Sequence, residues 1–600
     1  MQSSTSSQQA SPPAAPAFGV QPRWSRNGFL FVLACTLLGL LTLSRNKADV
    51  DLWGHVQYGK EVLRNGVLPE FSTWNYTTHH YAWVNHNNLA ELAFGAVDGQ
   101  FGASGLLLLK VVVSLALMGC IIWRLRARGT QPLTIGVVVL LVTATSAFHW
   151  QFRPQIFGYL MFALMLALLD WCFEGWAGDW WLRRRSNQSG DSDTRKFPGY
   201  SSLRMKGLYA LIPLTILWVN TDGGFASGIV IACAYLGLRG VESLCIWGSS
   251  GWGRVRRFAL MSFGIMLAML FTPYGFQLPL RLIENFYHLR TEFADWDSLQ
   301  LMNSESIGFW GIVLTTLLAT IRTRKIDFTH AVLLLLLLVW QGASHSQHTV
   351  LLAIAWAFWM AGPIDQMFKD LAEEWAKDHR RWELLRIWNT SAVAAVLTLW
   401  MGTVGWLLWP AVTRLEVDRS KFPVAAMQYM AEHDLSGRTV VTSNWSQYAI
   451  GCFDAAQMPS TVAFDGRLRA GYPQEVIDIY LDFIANPVRQ QRLRTPESPA
   501  LNRHRALEHL DPTLVLISRA EPNSVEVMQE YSDTWVLLYQ DSIAQVWGQR
   551  DLFDNPDSPR FLPKEARHVS EDLQTGVALW PALPQVNRQP IQIVSAPQPD

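Results

Sequence analysis

The chain has 600 residues, of which half are apolar, with 28 tryptophans, only 16% charged residues and a formal net charge of zero. Soluble domains carry about 25% charged residues, and the apolar residues here form long blocks such as 331–340. The composition therefore excludes an ordinary soluble protein and indicates a polytopic α-helical membrane protein. Nothing in the sequence supports nucleic-acid binding. The six cysteines show no disulfide or metal-ligand spacing and are expected to be small buried hydrophobic residues.

The N-terminal half is predicted to be mostly membrane-spanning. Residues 1–22 are rich in Ser, Gln, Ala and Pro, so we expect a disordered cytoplasmic lead over 1–27, followed by an anchor that is retained rather than cleaved. A spanning helix needs about 20 apolar residues, and we predict about 11 of them in a transmembrane domain over 28–412. The candidate spans are 28–44, 104–123, 132–149, 155–175, 207–220, 224–240, 258–273, 307–321, 328–343, 347–363 and 390–411.

Basic residues set the predicted orientation. Clusters of Arg and Lys follow the second, eighth and tenth spans, precede the seventh and fill the loop near 176–206. All of them are cytoplasmic if the N-terminus is cytoplasmic, as the positive-inside rule requires. With eleven spans, the C-terminal region then lies outside the cytoplasm. The large first outer loop, 45–103, is predicted to hold an amphipathic helix over 51–65 and a re-entrant or surface-lying helix over 86–100.

The composition changes after residue 411, where an extracytoplasmic α/β domain is predicted over 417–550. It has no phosphate-binding glycine-rich loop and no nucleophile elbow, and we expect it to orient an acceptor or to complete the roof of a cavity. The turn Asp465-Gly-Arg467 is interpreted as a surface salt bridge. Residues 551–600 are rich in proline and are predicted to be an irregular tail. The predicted helices are 424–433, 475–484 and 524–531, and the predicted strands are 438–442, 461–464, 514–517 and 535–538.

With this threading, polar side chains gather at the outer ends of the helices, while the inner connections carry mostly Arg and Lys. Such a cluster is typical of a wet cavity open to one side. Each member also has an ordinary interpretation, such as a solvated loop carboxylate, a helix start at Arg153-Pro or a tight turn at Gly223-Gly224. We predict that Asp49 and Asp51 are catalytic. The predicted substrate-binding residues are Trp53, His55, Asn85, His86, Arg153, Gln155, Asn220, Asp222, Tyr274, His345 and His348.

Seven short motifs spread over about 28–550 resemble one group of bacterial membrane proteins. They are Asp51-x-Trp53-x-His55-x-x-x-Gly59, Trp83-Val-Asn85-His86, Arg153-Pro-Gln155, Trp218-Val-Asn220 with Gly223-Gly224, Pro273-Tyr274-Gly275, Asn444-Trp-Ser-Gln-Tyr448 and Phe464-Asp-Gly-Arg467. That group is similar to the GT-C superfamily of membrane glycosyltransferases, which includes protein O-mannosyltransferases, aminoarabinose transferases and oligosaccharyltransferases. The resemblance implies a GT-C-like transmembrane domain with an outer active site, located in a bacterial cytoplasmic (inner) membrane with the C-terminal domain in the periplasm.

The resemblance also implies roles for individual residues. An acidic residue just beyond the first span would be the catalytic carboxylate, here Asp49 or Asp51. The donor would be a polyprenyl-phosphate-linked sugar, the acceptor a lipid, a glycan or a protein, and Arg153, His86 and His348 would lie near the phosphate. The chemistry fits, because glycosyl transfer needs a base for the acceptor and positive charge or hydrogen-bond donors at the leaving phosphate.

The chain departs from the family in two places. It has Asp49-Val-Asp51 where the relatives have an Asp-Glu pair, and 85–88 reads Asn-His-Asn-Asn where mannosyltransferase-like relatives have His-Pro-Pro. These differences leave the donor type and metal dependence open. No cofactor is demanded by the spacing, although Asp49, Asp51 and either Asp222 or Glu292 with His86 could hold a divalent cation such as Mg²⁺ or Mn²⁺.

Two other functions fit parts of the sequence. A transporter or flippase of a lipid-linked or small polar substrate would use polar groups near mid-membrane and often shows repeated halves, whereas here the polar groups gather at one face and no repeat is visible. An anchored binding or assembly protein would need fewer spans. A non-catalytic protein of GT-C-like architecture is a further alternative.

Overall fold

The computed structural model describes residues 24–78, 81–176, 203–281, 303, 306–324, 327–338, 348–377, 390–467, 470–485 and 498–586. Up to residue 413 the described part of the chain is mostly helical. The helices are α1 (Arg26–Leu43), α2 (Leu52–Asn65), α3 (Asn88–Ala127), α4 (Pro132–Ser146), α5 (Gln155–Cys172), α6 (Leu211–Val219), α7 (Phe225–Trp247), α8 (Trp252–Ala268), α9 (Ile307–Thr323), α10 (Phe328–Leu336), α11 (Thr349–Ala376) and α12 (Ser391–Thr413).

The predicted fold class is confirmed. Each of the predicted spans overlaps one of these helices. By length and hydropathy, 6 helical stretches of the described chain can cross a membrane, and the longest of them joins α7 to α8. A turn at Gly248, with φ of 57°, separates those two helices. The number of crossings and the orientation of the termini remain predictions.

The first outer loop contains the helices that position the polar cluster. Helix α2 corresponds to the amphipathic helix predicted over 51–65. Gly102, with φ of 57° and ψ of −145°, breaks α3 into a first part, as predicted over 86–100, and a longer apolar part. A β-carbon at Gly59 would overlap the carbonyl of Glu91, so α2 and the first part of α3 approach closely only because this position is glycine.

After α12 the chain forms an α/β domain with a six-stranded sheet in the order β3-β2-β4-β6-β5-β7. Strands β3, β2 and β4 are parallel, whereas β6 is antiparallel to β4 and β5. The strands are β1 (Glu416–Asp418), β2 (Arg438–Val441), β3 (Thr461–Val462), β4 (Leu514–Ser518), β5 (Trp535–Gln540), β6 (Ala544–Gln549), β7 (His568–Val569) and β8 (Val577–Leu579); the helices are α13 (Val424–Glu432), α14 (Ser443–Ala455), α15 (Gln474–Ile484), α16 (Arg505–Glu508), α17 (Pro522–Glu530) and α18 (Arg550–Phe553).

The tail predicted to be irregular contributes to this domain. Strand β7 pairs with β5, and β8 pairs antiparallel with β1. The prediction is therefore wrong for these segments, because short strands are determined by distant pairing partners rather than by their own composition. Residues 587–600 lie outside the described residues.

The α/β domain is joined to the first outer loop by backbone hydrogen bonds. Tyr76 N–H donates to the Val462 carbonyl at 3.3 Å, and Val462 N–H donates to the Trp74 carbonyl at 3.0 Å. The loop thus extends the edge of the sheet next to β3. A second tie runs from Ala48 N–H to the Glu416 carbonyl at 2.8 Å. Both ties hold the domain over the end of the helical part where α2 and α3 begin.

Candidate functional site

Two carboxylates and a guanidinium meet at this junction. Arg153 Nε lies 2.7 Å from Asp49 Oδ1, and Arg153 Nη2 lies 3.3 Å from Asp51 Oδ2. Arg153-Pro154 lies immediately before α5, and Asp51 immediately before α2. The structure therefore brings together three of the predicted site residues, which come from two helix starts about a hundred residues apart in sequence.

The two carboxylates are held differently. Asp49 Oδ1 also accepts a hydrogen bond from the Asp51 backbone N–H at 3.1 Å, and the Asp49 side chain is 8% exposed. Asp51 has the longer contact to Arg153, and its side chain is 23% exposed. Asp49 is thus fixed by two bonds in a turn that an aspartate favours. Asp51 is the more accessible of the two.

The α/β domain borders the same carboxylates. A β-carbon at Gly466 would lie 2.7 Å from Asp51 Oδ1 and 3.2 Å from Gln447 Nε2. Gln447, on α14, is buried, and a β-carbon at Gly54 on α2 would overlap its Oε1. Glycine at 54 and 466 therefore allows the α/β domain to approach the start of α2.

The loop that carries Gly466 is anchored by a buried ion pair. Arg467 Nη2 lies 2.8 Å from Asp465 Oδ2 and donates to Ser72 Oγ at 2.8 Å, while Tyr58 donates to Asp465 at 3.3 Å. The Arg467 guanidinium also lies 4.5 Å from the centre of the Trp83 ring, a favourable cation–π distance. The interpretation of Asp465-Gly-Arg467 as a surface salt bridge is wrong, because Asp465 is 0% exposed and the Arg467 side chain 7%.

This ion pair controls the ionisation of Asp465. Burial alone would raise the pKa of the carboxyl, but the charge and hydrogen bonds of Arg467 outweigh burial and hold the pKa below its usual value. Burial raises the pKa of the neighbouring Tyr58 phenol well above its usual value. Asp465 is therefore ionised and Tyr58 neutral at pH 7.

A second polar network begins one helical turn beyond Asp51. His55 Nδ1 lies 3.0 Å from Glu91 Oε1, and Asn85 Nδ2 donates to Glu91 Oε2 at 2.5 Å. Burial raises the pKa of the Tyr274 phenol, which lies beside Asn88 and Asn85. The structure thus joins His55 and Asn85 through Glu91 and places Tyr274 next to this network.

A third group lies between α6 and α7. Asp222 Oδ2 accepts a hydrogen bond from Gly224 N–H at 2.9 Å, and burial raises the pKa of the Asp222 carboxyl to about 6. A β-carbon at Gly223 would lie 3.0 Å from His86 Nε2. Asn220 Nδ2 donates to the Ile216 and Phe271 carbonyls, each at 2.9 Å. Asn220 therefore fastens this turn to the end of α8.

The remaining predicted residues are distributed around these groups. Trp53 is buried against Tyr448 and Trp580, and its indole N–H donates to the Pro581 carbonyl at 2.9 Å, so it packs between α2 and the α/β domain. Gln155 begins α5, and His348 directly precedes α11. His345 lies outside the described residues.

The described part of the chain contains no group of three or more His, Cys, Asp or Glu side chains arranged to hold a metal ion. The cation that the sequence allowed at Asp49, Asp51, His86 and either Asp222 or Glu292 would need ligands that the structure places in separate groups. Asp49 and Asp51 contact Arg153, while Asp222 packs against Gly158 of α5. Glu292 lies outside the described residues.

No protein-family model matches the chain, and no curated protein matches it. Among solved structures, it is similar to ArnT from Cupriavidus metallidurans bound to undecaprenyl phosphate, with a TM-score of 0.49 and 12% identity over 89% of this chain and 99% of that one. It is also similar to the archaeal oligosaccharyltransferase AglB from Archaeoglobus fulgidus in complex with an inhibitory peptide and a dolichol-phosphate, with a TM-score of 0.46 and 10% identity over 82% and 69% of the two chains.

At 10 to 12% identity and with TM-scores below 0.5, the likeness concerns the fold alone and carries no role over to this chain.

Three residues of the junction are absent from the residues predicted to form the site. Glu91 is one of the polar residues of the first outer loop, and Gln447 and Gly466 lie within two of the seven motifs named above. For Gln447 and Gly466, these motifs are the sequence feature that points to the site. What the sequence did not indicate is that α14 and the loop after β3 lie directly against the start of α2.

Proposed function

We propose that this protein is a membrane glycosyltransferase that transfers a sugar from a polyprenyl-phosphate-linked donor to an acceptor on the side of the membrane where the α/β domain lies. The observation that carries the proposal is the pair of carboxylates, Asp49 and Asp51, sharing Arg153 between the helix starts and that domain. A base beside a guanidinium is the combination that glycosyl transfer from a phosphate requires.

In this proposal the two carboxylates have different tasks. Asp49, held by Arg153 and by the Asp51 backbone, orients the guanidinium. Asp51, which is more exposed and has a longer contact to Arg153, takes the proton of the acceptor hydroxyl or amine. A donor phosphate that draws the Arg153 guanidinium toward itself would weaken the Arg153–Asp51 contact and raise the basicity of Asp51.

Arg153 stabilises the leaving phosphate in the same step. The bond between the sugar and the phosphate breaks with its electron pair on the phosphate, and the acceptor atom forms the new bond to the anomeric carbon. The charge that develops on the phosphate then faces a guanidinium that is already oriented. We propose that the nearby network of His55, Glu91 and Asn85 forms one wall of the cavity in which the sugar is transferred.

The test uses purified protein in proteoliposomes, radiolabelled undecaprenyl-phosphate-linked hexoses as donors, and membrane lipid and protein extracts as acceptors. Asp51→Asn is expected to lower turnover by about 10²–10⁴-fold, the usual effect of losing a general base. The matched control is Asp454→Asn, because Asp454 Oδ2 also lies 3.3 Å from an arginine, Arg64, where α2 meets the α/β domain.

Three results would separate the alternatives. Full turnover by Asp51→Asn would overturn the assigned role of Asp51. If the wild-type protein consumes no donor with any of the hexoses, the proposal that it is an enzyme is wrong. If labelled donor moves across the bilayer without covalent change, the transporter alternative is favoured.

A further inference from the structure

The α/β domain contributes an amide to the edge of the proposed catalytic carboxylate. Gln447 lies on α14 and is 3% exposed. Its Oε1 is buried against Gly54 and has no hydrogen-bond partner among the described residues. Leaving a buried acceptor unpaired is destabilising, so an amide in this position calls for a reason beyond filling space.

The geometry fixes which end of the amide faces the site. Oε1 lies where a β-carbon of Gly54 would be, in the direction of a Gly54 Cα–H bond, and such Cα–H···O contacts are weakly favourable. Nε2 is at the opposite end of the amide and borders the open side of Gly466, next to Asp51 Oδ1. An N–H donor and a carboxylate acceptor thus lie together on the side of Gly466 that carries no side chain.

Because Gly466 has no side chain, nothing from this residue covers Asp51 Oδ1 and Gln447 Nε2 on that side. Gly466 is exposed, and a β-carbon there would intrude to 2.7 Å from Asp51 Oδ1. The residues on either side of Gly466 are fixed, because Asp465 and Arg467 form a buried ion pair and Arg467 also donates to Ser72 of the first outer loop. The gap left by the missing side chain therefore has a rigid support.

From this arrangement, and resting on the proposed function, we infer that Asp51, Gln447 and Gly466 form a subsite for the nucleophilic hydroxyl of the acceptor. The hydroxyl donates its hydrogen to Asp51, and its oxygen accepts a hydrogen bond from Gln447 Nε2. In the transfer step the O–H bond breaks, the proton passes to Asp51, the oxygen bonds to the anomeric carbon and the donor phosphate leaves with the electron pair. Gln447 orients the acceptor, and the missing side chain of Gly466 lets the acceptor reach Asp51.

The experiment measures how the enzyme divides its donor between two nucleophiles. Wild-type protein in nanodiscs is given a radiolabelled undecaprenyl-phosphate-linked hexose in water with glycerol as a hydroxyl probe, and the ratio of glyceryl hexoside to free hexose is recorded. Both products come from the same donor-bound protein. A variant that only loses folded protein lowers both and leaves the ratio unchanged, whereas a damaged acceptor subsite changes the ratio.

Gln447→Ala is expected to lower the ratio about tenfold, as the loss of one hydrogen bond to a bound group would do. Gly466→Ala is expected to lower it at least as much, because the added methyl group fills the gap. Gln529→Ala, an exposed glutamine on α17, should leave the ratio at the wild-type value.

The outcomes distinguish this inference from the proposed function. An unchanged ratio in both the Gln447 and Gly466 variants, or hexose released only to water by the wild-type protein, overturns the acceptor subsite while sugar release still supports the enzyme. A wild-type protein that consumes no donor overturns both.

Discussion

The two ends of the helical part contain similar ion pairs in different surroundings. At the far end, Arg239 lies 2.8 Å from Glu242 and 2.7 Å from Asp327, and the side chains of Arg239 and Glu242 are 2% and 0% exposed. At the site end, Arg153 makes contacts of 2.7 and 3.3 Å to Asp49 and Asp51 but is 17% exposed. Each group pairs one arginine with two carboxylates, so exposure rather than charge count distinguishes them.

The far-end group extends into a wider network. Arg124 lies 3.0 Å from Glu174, and Arg128 lies 3.0 Å from Asp170. The Arg239–Asp327 pair joins α7 to the start of α10, and Arg124 and Arg128 pair with acidic residues at or just beyond the end of α5. At the site end, by contrast, Arg153 and Asp51 are 17% and 23% exposed beside the α/β domain. The comparison indicates that the most deeply buried charges, Arg239 and Glu242, stabilise the helical part, whereas a partly exposed group of the same kind is available for chemistry.

The largest expected effect is on stability at the far end. Arg239→Met should lower the stability of the folded protein by about 3–5 kcal/mol, because the fully buried Glu242 would lose its cationic partner. Thermal unfolding of the protein in detergent, followed by tryptophan fluorescence, measures the change. The matched variant is Arg153→Met, which should unfold at a temperature much closer to that of the wild type, because water can reach Asp51, and should lose sugar transfer.

These two variants test whether the ion pairs at the two ends differ in kind. If Arg153→Met unfolds as readily as Arg239→Met, Arg153 is a structural cation and the two ends do not differ in kind. If Arg239→Met is as stable as the wild type, the far-end network is not what holds α7 to α10.

Much of the fold was predictable because it depends on local patterns. Apolar blocks predicted a helix at each of the eleven proposed spans, short apolar runs predicted strands such as β4, and helical periodicity predicted helices such as α15. The meeting of Asp49 and Asp51 with Arg153 followed from threading, since helix ends on one side of a bundle come together. The roles of these residues remain predictions.

The rest depends on contacts between distant segments. Gln447 and Gly466 reach Asp51 only because the α/β domain docks on α2, and this docking leaves no periodic signal in either segment. Trp53 lies in the motif 51–59, which was predicted to be part of the site, but its side chain packs against the α/β domain. Helix α2 has one face against α3 and another against that domain, and Trp53 is on the second face. The tail acquires strands β7 and β8 only from their partners.

The second prediction concerns the buried pair that anchors the α/β domain. Arg467→Met should open the contact between the domain and the first outer loop, because Asp465 would be left buried and unpaired. Hydrogen exchange in the segment around Tyr76 should rise strongly. Arg64→Met is the control, because the Arg64–Asp454 pair joins the same two parts at an exposed position and such pairs contribute about 0–1 kcal/mol.

The Asp465–Arg467 pair also gives a pH dependence. The folded-state pKa of Asp465 lies below its unfolded value, so its contribution to stability is present above the unfolded pKa of about 3.9 and is lost as the pH falls through the folded pKa. Exchange around Tyr76 in the wild type should therefore rise in strong acid. Equal protection of this segment in Arg467→Met and Arg64→Met would show that the pair does not anchor the domain.

The smallest expected effect comes from Asp222, where the sign is opposite. The folded pKa of about 6 lies above the usual 3.8, so the folded protein binds the extra proton and loses stability as the pH rises from about 4 to 6. At pH 7.5 the buried carboxylate is ionised and destabilising. Asp222→Asn keeps an oxygen for the Gly224 N–H and should raise the unfolding temperature at pH 7.5, by an amount equivalent to about 1–3 kcal/mol, with a smaller gain at pH 5. A lower unfolding temperature at pH 7.5 would mean that the charge of Asp222 is needed, which would move Asp222 from the turn that supports His86 into the group that handles substrate.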